Sequence, residues 1–185
     1  MRTLLGLLAA VWLAAPLSAA DIAAEDLELF FELIAVGPLT AVEATLSDTP
    51  TIATARDPDG FAPIHMLDYA DFDAKLALLL AHGADINTQN ADGIALIHIL
   101  IDPDFLPAVL AAGANINLPD TQGRTPLMLF AQEPEGADMV RALLAAGADA
   151  GLRDAQGHSV MYYASESGQD QDLLDDLQSA GAPPG

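Results

Sequence analysis

The sequence predicts an all-α solenoid of stacked helix-turn-helix units joined by β-hairpin-like loops. Three observations predict it. Gly83, Gly113, Gly147 and Gly181 recur in "HGAD", "AGAN", "AGAD" and "AGAP". Gly60, Gly93, Gly123 and Gly157 close the polar runs "DPDG", "NADG", "DTQG" and "DAQG", spaced 33, 30 and 34 residues, a period that marks stacked repeats. Hydrophobic residues make up 52% of the 185, only 5% are aromatic, and the rest are largely Ala and Leu, which suits close helical packing better than a β-sandwich.

Residues 1–20 read as a secretory signal peptide. Arg2 precedes the short apolar run "LLGLLAAVWLAA", followed by Pro16 and the small-residue step "SAA". That run falls short of the roughly 20 residues of a spanning helix, so cleavage after Ala20 is expected rather than anchoring. Cleavage would remove Trp12, the only tryptophan. The chain has no cysteine, so stability in an oxidising compartment must come from packing alone. Absence of an N-x-[ST] sequon favours a bacterial periplasm, and the expected location is periplasmic or secreted.

Residues 21–56 are expected to form a degenerate, N-terminal capping repeat, with Glu25, Glu28 and Glu32 on one helical face. Four repeats follow, at about 57–89, 90–119, 120–153 and 154–182, and 183–185 form a frayed tail. In each, a short helix follows the tip glycine: "FAPIHMLDYA", "IALIHILI", "RTPLMLFAQ" and "HSVMYYASE". After a polar break comes an Ala/Leu-rich helix ending at a glycine suited to the left-handed C′ position. Pro63 and Pro126 stand in first helical turns, where a missing N–H costs nothing. One such pair cannot bury its apolar face alone, whereas stacked neighbours share a core.

"APIH" at 62–65, "ALIH" at 95–98 and "TPLM" at 125–128, with "GADIN" and "GANIN" after the second helices, resemble the signature of ankyrin-repeat proteins. The resemblance covers about 57–182 and implies a protein-binding domain without catalysis. Departures are Met128 and Tyr162 at the histidine position and Leu96 and Val160 at the proline position. The third unit also has three fewer residues between His98 and Gly113 than the second has between His65 and Gly83, nearly a helical turn.

Chemical constellations are scarce. "DINTQNADG" at 85–93 imitates a calcium loop through Asp85, Asn87 and Gln89, but Asn90 and Leu96 replace the required glycine and glutamate. His65 and His98 should stack in adjacent units, yet no third histidine or cysteine completes a zinc set. No nucleophile elbow, H-E-x-x-H or P-loop occurs. No cofactor, metal or catalytic residue is therefore expected. A small periplasmic enzyme or metal-binding factor on a helical scaffold is the competing expectation.

The formal charge of −21, one unit more negative without Arg2, argues against nucleic acid and anionic membrane surfaces and permits a basic protein partner. A solenoid binds partners on its concave surface. By the ankyrin resemblance, hairpin tips and first helices line that surface. It would comprise Asp59, Asp92, Gln122 and Gln156 at the tips, Phe61, Ile94, Arg124 and His158 just after the tip glycines, and Tyr69, Asp102, Gln132 and Glu166 on or after the first helices. An apolar anchor inside an acidic rim suits a basic partner, and the expected function is a monomeric interaction module, in its narrowest form an inhibitor or immunity-type protein.

Overall fold

The computed structural model describes residues 18–19 and 22–184; the expected signal peptide lies outside them apart from Ser18 and Ala19. The described chain is all-helical and builds two layers. Along one lie α1 (Ala24–Val36), a 3₁₀ turn at Pro63–Met66, α4 (Leu96–Ile99), α6 (Pro126–Gln132) and α8 (Val160–Glu166). Behind it run α2 (Leu39–Asp48), α3 (Phe72–Ala81), α5 (Leu106–Ala111), α7 (Ala137–Ala145) and α9 (Gln171–Ser179). A continuous apolar core runs between them from Leu27 and Phe30 through Ile64, Leu79, Ile97, Leu127 and Leu143 to Leu173 and Leu177.

Stopping each second helix is a matter of backbone geometry. Gly83, Gly113, Gly147 and Gly181 take φ of 89°, 91°, 92° and 89°. The following N–H then reaches back to a carbonyl in the last turn: Ala84 to Leu79, Ala114 to Val109, Ala148 to Leu143 and Ala182 to Leu177. These reciprocal bonds satisfy carbonyls that the ended helix leaves without partners.

The expected β-hairpin-like loops are not present. Among the described residues there is no strand, only an isolated bridge between Arg153 and Ser159. Each tip closes with two backbone bonds, one across five residues (Asp57 N–H to Phe61, Asn90 to Ile94, Asp120 to Arg124 and Asp154 to His158) and one from the tip glycine N–H back to the carbonyl of the first residue. The side chain of the first residue takes the N–H groups that a partner strand would otherwise accept. Asp57 Oδ1 accepts from Asp59 and Phe61 at 2.9 and 2.8 Å, and Asn90 Oδ1, Asp120 Oδ1 and Asp154 Oδ1 repeat the pattern. With its donors turned inward, the loop is a turn and cannot propagate a ladder.

The first helices are also shorter than their apolar runs suggest. The second unit keeps only the 3₁₀ turn, and α4 has four residues against seven in α6 and α8. No sequence signal marked Lys75 as a core residue, yet it is fully buried in α3 and donates to the Ile34 carbonyl at 2.8 Å. The reason lies in α1. The residue four beyond Ile34 is Pro38, which has no N–H, so Ile34 is left without its helical donor and Lys75 supplies one at the negative end of the helix.

Two outcomes follow for stability. Lys75→Ala should lower the unfolding free energy by about 2–4 kcal/mol, from lost packing and an orphaned carbonyl. Urea titration followed by circular dichroism measures it. Gly93 (φ 81°) and Gly157 (φ 87°) share a left-handed conformation, but a Cβ on Gly93 would meet Thr121 N at 2.5 Å and one on Gly157 meets nothing. Gly157→Ala should cost about 1–2 kcal/mol and Gly93→Ala clearly more.

Candidate functional site

The four tips stand in a row because each bonds to the next. Ala91 N–H donates to Asp59, Thr121 to Asp92 and Ala155 to Gln122, at 2.9, 3.0 and 2.9 Å. This zipper brings Asp59, Asp92, Gln122 and Gln156, all exposed, along one edge. Phe61, Ile94, Arg124 and His158 occupy equivalent half-buried positions beside them. The Phe61 ring meets His65 edge-on at 5.5 Å. Arg124 folds onto its own tip, with Nε and Nη2 at 2.8 and 2.7 Å from Asp120 Oδ2.

His158 does the same at Asp154, 3.2 Å away, and stacks on Tyr162 at 4.0 Å. Tyr163 donates its hydroxyl to the same buried Asp154 oxygen. Burial pushes the Asp154 carboxyl up, but bonds from Tyr163, from the His158 and Gln156 N–H groups and from the His158 ring outweigh it and hold the pKa below 3.8. Burial, followed by the bond to Asp154, raises Tyr163 to about 12.

The remaining expected site residues lie apart from the tips. Tyr69 and Asp102 line one cavity between the second and third units, whereas Gln132 and Glu166 end α6 and α8 and are exposed. Missed by sequence reasoning were Ile99 and Ile101, 39% and 77% exposed beside the same cavity. Their signal was the run "ILID" before Pro103, where one isoleucine ends the shortened helix and the other lies beyond it.

Polar side chains of the loops behind the tips bond to backbone. Asp85 Oδ1 accepts the Asn87 N–H at 2.9 Å, and Asn87 clasps the next unit through Asn115 N–H and the Gly113 carbonyl at 2.7 and 3.1 Å. Gln89 donates to Gly93 and Pro119 at 2.6 and 2.8 Å. Among the described residues no group of three or more His, Asp or Glu is placed to hold a metal ion. His65 Nδ1 accepts from Ala62 N–H at 2.9 Å, so its Nε2–H donates to Thr88 within its own unit at 3.1 Å and, across the unit boundary, to Ile94 at 3.0 Å. His98 accepts from Ala95 N–H and donates to Leu118, both within its own unit, at 3.0 and 2.8 Å.

The described cations are likewise engaged. Arg56 donates to the Gly60 and Gln89 carbonyls, Lys75 to Ile34, Arg141 to Asp176, and Arg153 to Gly157 and Pro184. With Arg124 on Asp120, every described Lys and Arg is bound within the chain. Most carboxylates remain exposed.

Residues 96–182 match the family model "Ankyrin repeats (3 copies)", so an ankyrin-repeat domain is present there. The chain is also similar to the intracellular phospholipase A2 of Caenorhabditis elegans, 35% identical over 107 residues. That match takes 54% of this chain and 10% of the relative, so the chain spans about a tenth of that protein's length. Among the described residues no helix is long and apolar enough to cross a membrane.

The two buried histidines set a pH dependence. Burial lowers both below the ordinary 6.5, against the opposing effect of the carbonyls they donate to. Between the folded pKa and 6.5 the unfolded chain binds more protons, so stability present above 6.5 is lost as pH falls through that window. Thermal unfolding should show a falling midpoint below pH 6.5 with a weaker slope in the double variant His65→Gln, His98→Gln. An identical slope would count against these two groups.

Proposed function

We propose that this protein acts by binding another protein along the row of tips, in the periplasm or after secretion, as a monomer without catalysis of its own. The ankyrin-repeat domain supports a protein partner in general terms. One observation carries the finer reading: the tips are bonded into a row while the carboxylates of Asp59 and Asp92 stay exposed and every described cation is taken up internally. Asp59 and Asp92 then present uncompensated charge beside the apolar surfaces of Phe61 and Ile94. Such an edge attracts a basic protein and fixes its register, since charge sets encounter rate and specificity more than affinity. Inhibition of that partner, as an immunity-type protein would achieve it, is the narrowest form of the proposal.

Affinity capture from a periplasmic extract, followed by rebinding of the purified partner, tests it. A basic protein should be retained at low salt and bind more weakly as the Debye length shrinks toward about 8 Å at physiological salt. Charge reversal at two exposed positions, Asp59→Lys with Asp92→Lys, should weaken rebinding at least tenfold with circular dichroism unchanged. Undiminished binding would show that the tips are not the contact.

A further inference from the structure

The shortened third unit creates a second surface that the row of tips does not include. After Ile99 the backbone leaves the helix and runs extended, with Leu100 at φ −73°, ψ 98° and Asp102 at φ −95°, ψ 116°. Side chains alternate in extended chain, so Leu100 enters the core at 5% exposure and its neighbours Ile99 and Ile101 face outward. A second helical turn here, as α6 and α8 possess, would keep such residues on a helical face. In its absence the two isoleucines form a ridge.

A hollow lies on each side of that ridge, and both isoleucines line both hollows. The smaller, about 80 Å³, is walled by Tyr69 and Phe105. Its floor is rigid: Phe105 stacks on buried Phe72 at 4.3 Å and meets Tyr69 at 5.8 Å. The larger, about 620 Å³, is backed by Phe130 and Met139. Tyr69 at 55% and Ile101 at 77% exposure make this an open apolar patch, of a kind that marks interaction sites more often than scattered single residues do.

Charge identifies what would cover it. Asp68 and Asp102 edge the smaller hollow, Glu133 and Glu135 the larger, and no Lys or Arg lines either. The two histidines at the hollows spend their ring nitrogens on backbone bonds. We propose that this notch docks an extended basic segment of a partner protein, whose apolar side chains straddle the Ile99–Ile101 ridge while its Lys or Arg side chains meet the carboxylates on both rims. An extended ligand sends alternate apolar side chains into the hollows, and the long, flexible Lys or Arg side chains between them bend back to the acidic rims. The proposal rests on the view of the chain as a protein-binding domain but uses a surface separate from the tips.

Fluorescence anisotropy with labelled peptides tests it on the full chain. The probes are peptides alternating lysine with leucine, lysine with serine, and glutamate with leucine. The Lys/Leu peptide should bind, and more weakly at about 300 mM than at about 25 mM salt. Ile101→Ser, at an exposed position, should weaken it at least tenfold, and Glu133→Lys with Glu135→Lys should weaken it at low salt. The tip variant Asp59→Lys, Asp92→Lys should leave it unchanged. Equal binding of the Lys/Ser peptide, equal binding of the Glu/Leu peptide, or no effect of Ile101→Ser would each overturn the notch. Loss of Lys/Leu binding in the tip variant with none in Ile101→Ser would overturn it while leaving the tip proposal standing. Binding at the notch with no partner captured at the tips would do the reverse.

Discussion

A single side-chain oxygen at the start of each tip, on Asp57, Asn90, Asp120 and Asp154, accepts two backbone N–H groups two and four residues on. Everything about the stacking follows from that clasp. It folds the loop tightly enough that the outer carbonyl of one tip meets an N–H of the next. Each such bond contributes only about 0.5–1.5 kcal/mol net, but the bonds repeat in register and fix how one helix pair sits on its neighbour. With the register set, His65, Asn87 and Asn117 reach backbone groups of the following unit, and the apolar faces close into one core. The last tip shows the constraint by contrast: among the described residues nothing lies within 4 Å of where a Cβ on Gly157 would stand.

The same inward use of polar groups shapes the surface. The described cations are occupied by carbonyls, by Asp120 at its own tip and, for Arg141, by Asp176 on α9. Asp85, Asn87, Gln89 and Asn90 of the calcium-like loop spend their polar atoms on backbone. What remains outside is acid, interrupted by apolar ground where the first helices are short. A region of this character is poorly suited to nucleic acid and well suited to a positively charged polypeptide. Tip row and notch therefore share one cause, although different residues form them.

Much of the architecture was legible beforehand because it depends on local rules. The glycines after each second helix and at each tip announce left-handed backbone, which side chains disfavour. Prolines at 63 and 126 announce first turns, and the three-residue shortening announced a thinned third unit. Less legible was the loop conformation. Hairpin-like loops were expected, but which group takes each N–H was settled by the tip side chain, which accepts two of them.

By itself, then, the sequence determined the repeat, its period, the all-helical build and the acidic character, all properties of short windows or of composition. Only the tertiary structure decided that Lys75 is buried, since its partner Ile34 lies 41 residues away and needs a donor because of Pro38. The tertiary structure alone also turned Ile99 and Ile101 outward, at 39% and 77% exposure. Those outcomes depend on which backbone groups and which hollows the neighbouring units bring near, and a linear pattern does not encode that proximity.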